Sequence, residues 1–130
     1  MNLVEKIPLP NGLSVEVWDG SVPIAADTTK VVLLIRIMVP VHSSYFTRTG
    51  QYEKVINVHG SDIAFEYQKV RTFVKDKQKK AVFQELLDDF KESSLAYLGR
   101  PTFARSFALA KYAEIERNNY KYSQFSAEDR

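Results

Sequence analysis

Apolar and polar residues alternate from the start of the chain. Leu3, Glu5, Ile7 and Leu9 fall on one face of an extended segment, and Leu13, Val15 and Val17 repeat the pattern after Asn11-Gly12, with Ser14, Glu16 and Trp18 opposite. Asn-Gly is the preferred pair where a two-residue turn needs positive φ at both positions, so the spacing predicts a β-hairpin. Pro8 and Pro10 lack the amide donor that a central strand requires, which places the incoming strand at a sheet edge. Val22 to Thr29, with Pro23 and Asp27, reads as a loop. Lys30 to Val39 is the most apolar stretch, carrying Val31, Leu33, Ile35, Ile37 and Val39 on one face and Val32, Leu34, Arg36 and Met38 on the other. Apolar residues on both faces predict a central strand covered on both sides over most of its length, with Arg36 as the exception.

Pro40 to Gly50 reads as a loop. Tyr52, Val55, Ile56 and His59 then fall at helical spacing before Gly60, although alternation of Tyr52, Lys54, Ile56 and Val58 would also suit a strand. We read a short helix. A strand follows from about Asp62 to Val74. Its apolar phase moves from Ile63, Phe65 and Tyr67 to Val70, Thr72 and Val74, which predicts a bulge at Gln68 or Lys69. A long helix carries Phe83, Leu86, Leu87, Phe90, Ser94, Tyr97 and Leu98 as one stripe and stops at Gly99-Arg100-Pro101, where glycine accepts a left-handed cap. A second helix spans about Thr102 to Arg117 with Phe103, Phe107, Ala110 and Ala113 inward. The order predicts one α+β domain over 1–117, with an antiparallel sheet of about four strands, a C-terminal helical hairpin on one face, and a polar tail over 118–130 in which Tyr120, Tyr122 and Phe125 could dock.

Composition narrows the chemistry. The 130 residues include no cysteine, which removes disulfides, thiolate metal sites and a cysteine nucleophile. The formal net charge of +2 is too small to indicate a nucleic-acid binder. The first residues lack a secretory signal pattern, and the longest apolar stretch, Val31 to Val41, is broken by Arg36 and Pro40. A cytoplasmic protein that does not enter a membrane is therefore expected.

Charge is unevenly placed. Glu85, Asp88, Asp89 and Glu92 share a wedge of roughly 100° opposite the apolar stripe of the long helix. Such a face is ordinarily solvated; its functional counterpart is a docking patch for a basic partner. Lys69, Arg71, Lys75, Lys77, Lys79 and Lys80 gather at the preceding strand end and helix start, where cations oppose the macrodipole. If the acidic wedge met the residues Lys75, Lys77, Lys79 and Lys80 of a second copy, a homodimer would account for both. Trp18, Arg36, Lys69 and Arg71 could form an aromatic and basic sheet face, with Arg36 paired to a carboxylate such as Glu16 or placed at a rim. Trp18 is expected against a loop or the tail.

Catalytic and cofactor patterns are missing. His42 lies beside Ser43, Ser44 and Tyr45, but neighbours in sequence seldom converge as nucleophile and base, and a site would need a pocket joining His42, Tyr45 and a carboxylate such as Asp27. His59 reads as the end of a short element. Neither histidine has metal-ligand spacing, and no phosphate-binding glycine loop occurs, so no cofactor and no metal are expected.

The stretches PLPNGLSVEVWD (8–19) and YLGRPTF (97–103) resemble small bacterial proteins of unassigned function, chiefly deltaproteobacterial. The resemblance implies a stand-alone cytosolic domain and supplies no functional residue. The expected role is a non-catalytic interaction or small-ligand-binding module, working as a homodimer through a sheet edge or the charged helix. The alternative is a nucleic-acid-binding accessory protein using 69–80.

Overall fold

A computed structural model describes residues 1–118. The tail expected from 118, with Tyr120, Tyr122 and Phe125, lies beyond Asn118 outside the described residues. Five strands form an antiparallel sheet: β1 (Asn2–Pro8), β2 (Ser14–Asp19), β3 (Val22–Ala25), β4 (Thr28–Pro40) and β5 (Asp62–Lys75). Three helices accompany them: α1 (Thr49–His59), α2 (Lys79–Leu98) and α3 (Phe103–Arg117). The α+β class and the antiparallel sheet therefore stand, with one more strand than the alternation predicts. Contacts divide the chain into two compact units, Met1–Ile37 with Ala64–Arg100, and Met38–Ile63 with the chain from Pro101. The two C-terminal helices fall one in each.

In the first unit, β2 and β3 pair with β4 in one continuous register, from Glu16 opposite Arg36 to Pro23 opposite Thr29. Gly20 keeps the ladder going by donating to the Val32 carbonyl at 3.0 Å. The segment expected to be a loop is thus partly strand. Four residues with a donor-less Pro23 are too few to show alternation, and the long partner strand supplies the template. β1 pairs only with β2 and forms one sheet edge, as Pro8 requires, while Pro10 falls in the turn. β4 buries Val31, Leu33, Ile35 and Ile37 almost completely. Its second face is covered at Val32, half-covered at Leu34 and exposed at Arg36 and Met38, so the expected two-sided cover holds only near its start. α2 packs on the buried face with Leu86, Leu87, Phe90 and Leu98. Phe90 lies 5.8 Å from the Tyr67 ring, and Lys91 reaches Glu5 at 3.1 Å. Tyr97, expected in this stripe, is exposed and lies under the Arg100 guanidinium.

The hairpin turn is longer than Asn-Gly alone suggests. Gly12 donates to the Leu9 carbonyl at 3.0 Å, Pro10 takes the second turn position, and only Gly12 has positive φ, at 89°. Proline presets the φ that a turn's second residue needs, which converts a two-residue loop into a three-residue one.

This turn meets the end of α2. Asn11 Nδ2 donates to the carbonyls of Leu98 and Arg100, both at 2.9 Å, while Asn11 Oδ1 accepts from the Leu13 amide at 3.1 Å. Gly99 has φ −86° and ψ 0°, so the expected left-handed cap is absent. Glycine is required there for a different reason: a Cβ would lie 2.9 Å from Pro10 Cδ. The two stretches 8–19 and 97–103 are thus in contact with each other.

In the second unit, α1 confirms the helical spacing of Tyr52, Val55 and Ile56 and ends at Gly60, which has φ 83°. Val41, Phe46, Val55, Ile63, Ala108 and Ile115 form its core, with Tyr52, Phe107 and Tyr112 packed around them. α3 is rotated from the expected face. Phe103 is buried as read, but Ala110 and Ala113 are exposed and Ile115 is buried instead. The larger side chains of Ile115 and Tyr112 gain more from burial than two alanines do, and they set the rotation.

Candidate binding groove

The irregular ends of the strands build a site in the first unit. β1 changes register between Leu3 and Glu5: Leu3 lies opposite Trp18 and Glu5 opposite Val17, on different faces of the sheet. The expected common face of Leu3 and Glu5 is therefore broken by a bulge at Val4. A bulge re-aims the side chain it carries. Val4 is 49% exposed and lines a groove of about 500 Å³, together with Met1, Pro23 from β3, and Phe83 from α2. β3 carries a second register shift between Pro23 and Ala25.

The polar side of the groove comes from the β2–β3 junction and the approach to α2. Asp19 Oδ1 accepts from the Ser21 amide at 2.9 Å, and Asp76 accepts from the Thr29 hydroxyl. Asp76 also donates its amide to the Asp27 carbonyl at 3.0 Å, tying the β3–β4 turn to the short 3₁₀ turn before α2. Both carboxylates thus have a donor within the protein. Lys79 and Lys80 open α2, are exposed, and make no ion pair among the described residues. Their charge opposes the macrodipole, an arrangement that a bound anion would relieve.

Of the residues singled out from sequence, Lys79 and Lys80 line the groove. Lys75 and Lys77 are exposed nearby, and Lys69 and Arg71 are exposed on β5. Glu85, Asp88, Asp89 and Glu92 are all exposed on α2, where Asp88 accepts from Gln84 at 2.8 Å. Trp18 and Arg36 share the sheet face away from α2. Arg36 lies opposite Glu16 in the ladder, but the Glu16 carboxylate instead accepts from the Trp18 indole at 3.1 Å. Trp18 packs in a cross-strand row between Leu3 and Leu34. Sequence reading missed Val4, Pro23, Thr29 and Asp76, and placed Phe83 in the core stripe. The one signal that could have pointed to them is Pro23 close to an alternating strand, since proline often marks a strand irregularity.

The second unit holds the perturbed ionisable groups. Glu116 is held below its ordinary range by hydrogen bonds from Lys54, at 2.9 Å, and from Tyr112. Lys54 is raised chiefly by that same bond, and Tyr112 is raised chiefly by burial. The Lys54–Glu116 pair is almost half-exposed, so it contributes no more than about 1 kcal/mol. His59 ends α1 with its Nε2 buried and without a hydrogen-bond partner among the described residues. Burial, followed by the nearby charge of Lys111, pushes the imidazole below its usual value, and Glu114 opposes this. His42 lies edge-on to Tyr45 with ring centroids 5.2 Å apart. Among the described residues no group of three or more histidines and carboxylates converges as metal ligands would, and no helix is long and apolar enough to cross a membrane.

No protein-family model matches the chain, and no curated protein or solved structure matches it.

Proposed function

We propose that this chain is a bacterial cytosolic binding module whose first unit takes a small amphiphilic anion. The observation that carries this reading is the groove itself. Its volume of about 500 Å³ suits a small molecule, and an apolar wall of Val4, Pro23 and Phe83 faces two lysines that lack ion-pair partners among the described residues. An apolar body displaces water from the wall, and the anionic head accepts hydrogen bonds from Lys79 and Lys80 near the positive end of α2.

Octanoate is the test ligand, with octanol as the uncharged control. Titration followed by amide chemical shifts is expected to move Val4, Lys79 and Phe83 together. The double variant Lys79→Glu/Lys80→Glu should weaken octanoate roughly tenfold and leave octanol unchanged, because two exposed charge contacts are lost. Shifts scattered over the surface, or equal binding of octanoate by the double variant, would dismiss the reading.

A further inference from the structure

Among the described residues β1, β3 and β5 each pair with a single strand, and these open edges differ. β1 is protected by Pro8, which has no amide to donate to an added strand, and β3 by its four-residue length and Pro23. β5 is 14 residues long, contains neither proline nor glycine, and pairs only with β4 among the described residues. A long unpaired edge of this kind is a template for another strand.

Its sequence is complementary to itself when reversed. Around a point between Gln68 and Lys69, Glu66 mirrors Arg71, Tyr67 mirrors Val70, and Phe65 mirrors Thr72. Directly opposite residues of an antiparallel pair share a face. In a regular strand this mirror would set apolar positions against the wrong face, because Tyr67 and Val70 would point to opposite sides. The change of phase resolves the mismatch. Phe65, Tyr67 and Val70 are half-buried, whereas Glu66, Gln68, Lys69 and Arg71 are exposed, so two successive residues, Gln68 and Lys69, face solvent at the mirror point. Tyr67, and by this pattern Val70, lie on the side that α2 covers through Phe90. Phe73, at φ 56°, ends the regular stretch.

We infer that β5 pairs antiparallel with β5 of a second copy, Glu66 opposite Arg71 and Tyr67 opposite Val70, joining two sheets into one. The occupant is a second copy because Glu66 and Arg71 match their own reverse in charge, and Tyr67 and Val70 in half-buried apolar position. The break in phase is then the feature that makes the match possible. This inference does not depend on the groove, whose residues are not among those paired.

Sedimentation equilibrium with charge-exchanged variants tests it. The natural chain is expected to dimerise. Glu66→Arg sets arginine against arginine at two symmetric places and should raise the dissociation constant roughly tenfold or more. Arg71→Glu should do the same, which covers the case of one variant folding poorly, and Glu66→Arg/Arg71→Glu should recover the dimer. Because the chain has no cysteine, mixing Gln68→Cys with Lys69→Cys protein should give a disulfide-linked dimer faster than either variant alone. A monomer at all concentrations, single variants that dimerise like the natural chain, or a double variant no better than the singles would overturn the inference.

Discussion

Replacing Gly99 by alanine should destabilise the first unit, although its backbone conformation suits any residue. At φ −86° and ψ 0° the substitution alone would stabilise by about 0.4–1 kcal/mol, because alanine has fewer unfolded conformations to lose. The surroundings reverse that sign. The new Cβ would sit 2.9 Å from Pro10 Cδ and 3.2 Å from the Leu95 carbonyl oxygen, so a proline ring and a helix backbone must both give way. Overpacking of this kind costs about 1–3 kcal/mol, which leaves a net loss of about 0–2.6 kcal/mol. Urea denaturation of Gly99→Ala, Pro10→Ala and the double variant would measure it. In the Pro10→Ala background the nearest obstacle is gone, so the loss should shrink by about 1 kcal/mol, a coupling expected only of residues in contact. An equal loss in both backgrounds would refute the account, and a stabilised Gly99→Ala would refute it outright.

Asn11 gives a second test at the same junction. Asn11→Ala removes three hydrogen bonds and should cost about 2 kcal/mol. Asn11→Asp keeps the acceptor for Leu13 but turns a carboxylate toward two carbonyls at the negative end of α2, so denaturation at pH 7 should rank it below alanine. Equal stability of Asn11→Asp and the natural chain would show that only the turn acceptor matters. His59 predicts an acid-sensitive limb. Its folded pKa lies below the unfolded value of 6.5, so the unfolded chain takes up the proton first and stability falls as pH drops below 6.5. Urea midpoints at pH 7.5 and 5.5 should differ in the natural chain and differ less in His59→Leu; an unchanged difference would remove His59 as the cause.

The parts of the fold that sequence shows are those set by local pattern. The near-continuous apolar run from Val31 to Val39 marks β4, and the 3.6-residue spacing of Leu86, Leu87 and Phe90 marks α2, because each pattern is set by the faces that are buried. What stays hidden depends on distant partners. Nothing near Gly99 signals that Pro10 will approach it, and a left-handed cap is the local inference from the same residue. Val4 looks like an ordinary member of an alternating strand until its pairing with β2 shows the bulge. The groove follows the same rule: Lys79 and Lys80 are conspicuous as misplaced charge, whereas of the wall they face Phe83 reads as a core residue, Pro23 as part of a loop, and Val4 carries no signal. On β5 the phase change is legible, but its location on an open edge is a matter of topology.

Each unit is assembled from two stretches of chain, and the first is not complete until Arg100. Synthesis from Met38 to Arg100 takes roughly 3–13 s at about 5–20 residues per second. During that interval β1 to β4 leave the ribosome with Val15, Val17 and Ile35 facing water, since the helix that will shield them is still being translated. A holding chaperone would therefore have its substrate early, while the nascent chain is growing, and would lose it once α2 arrives.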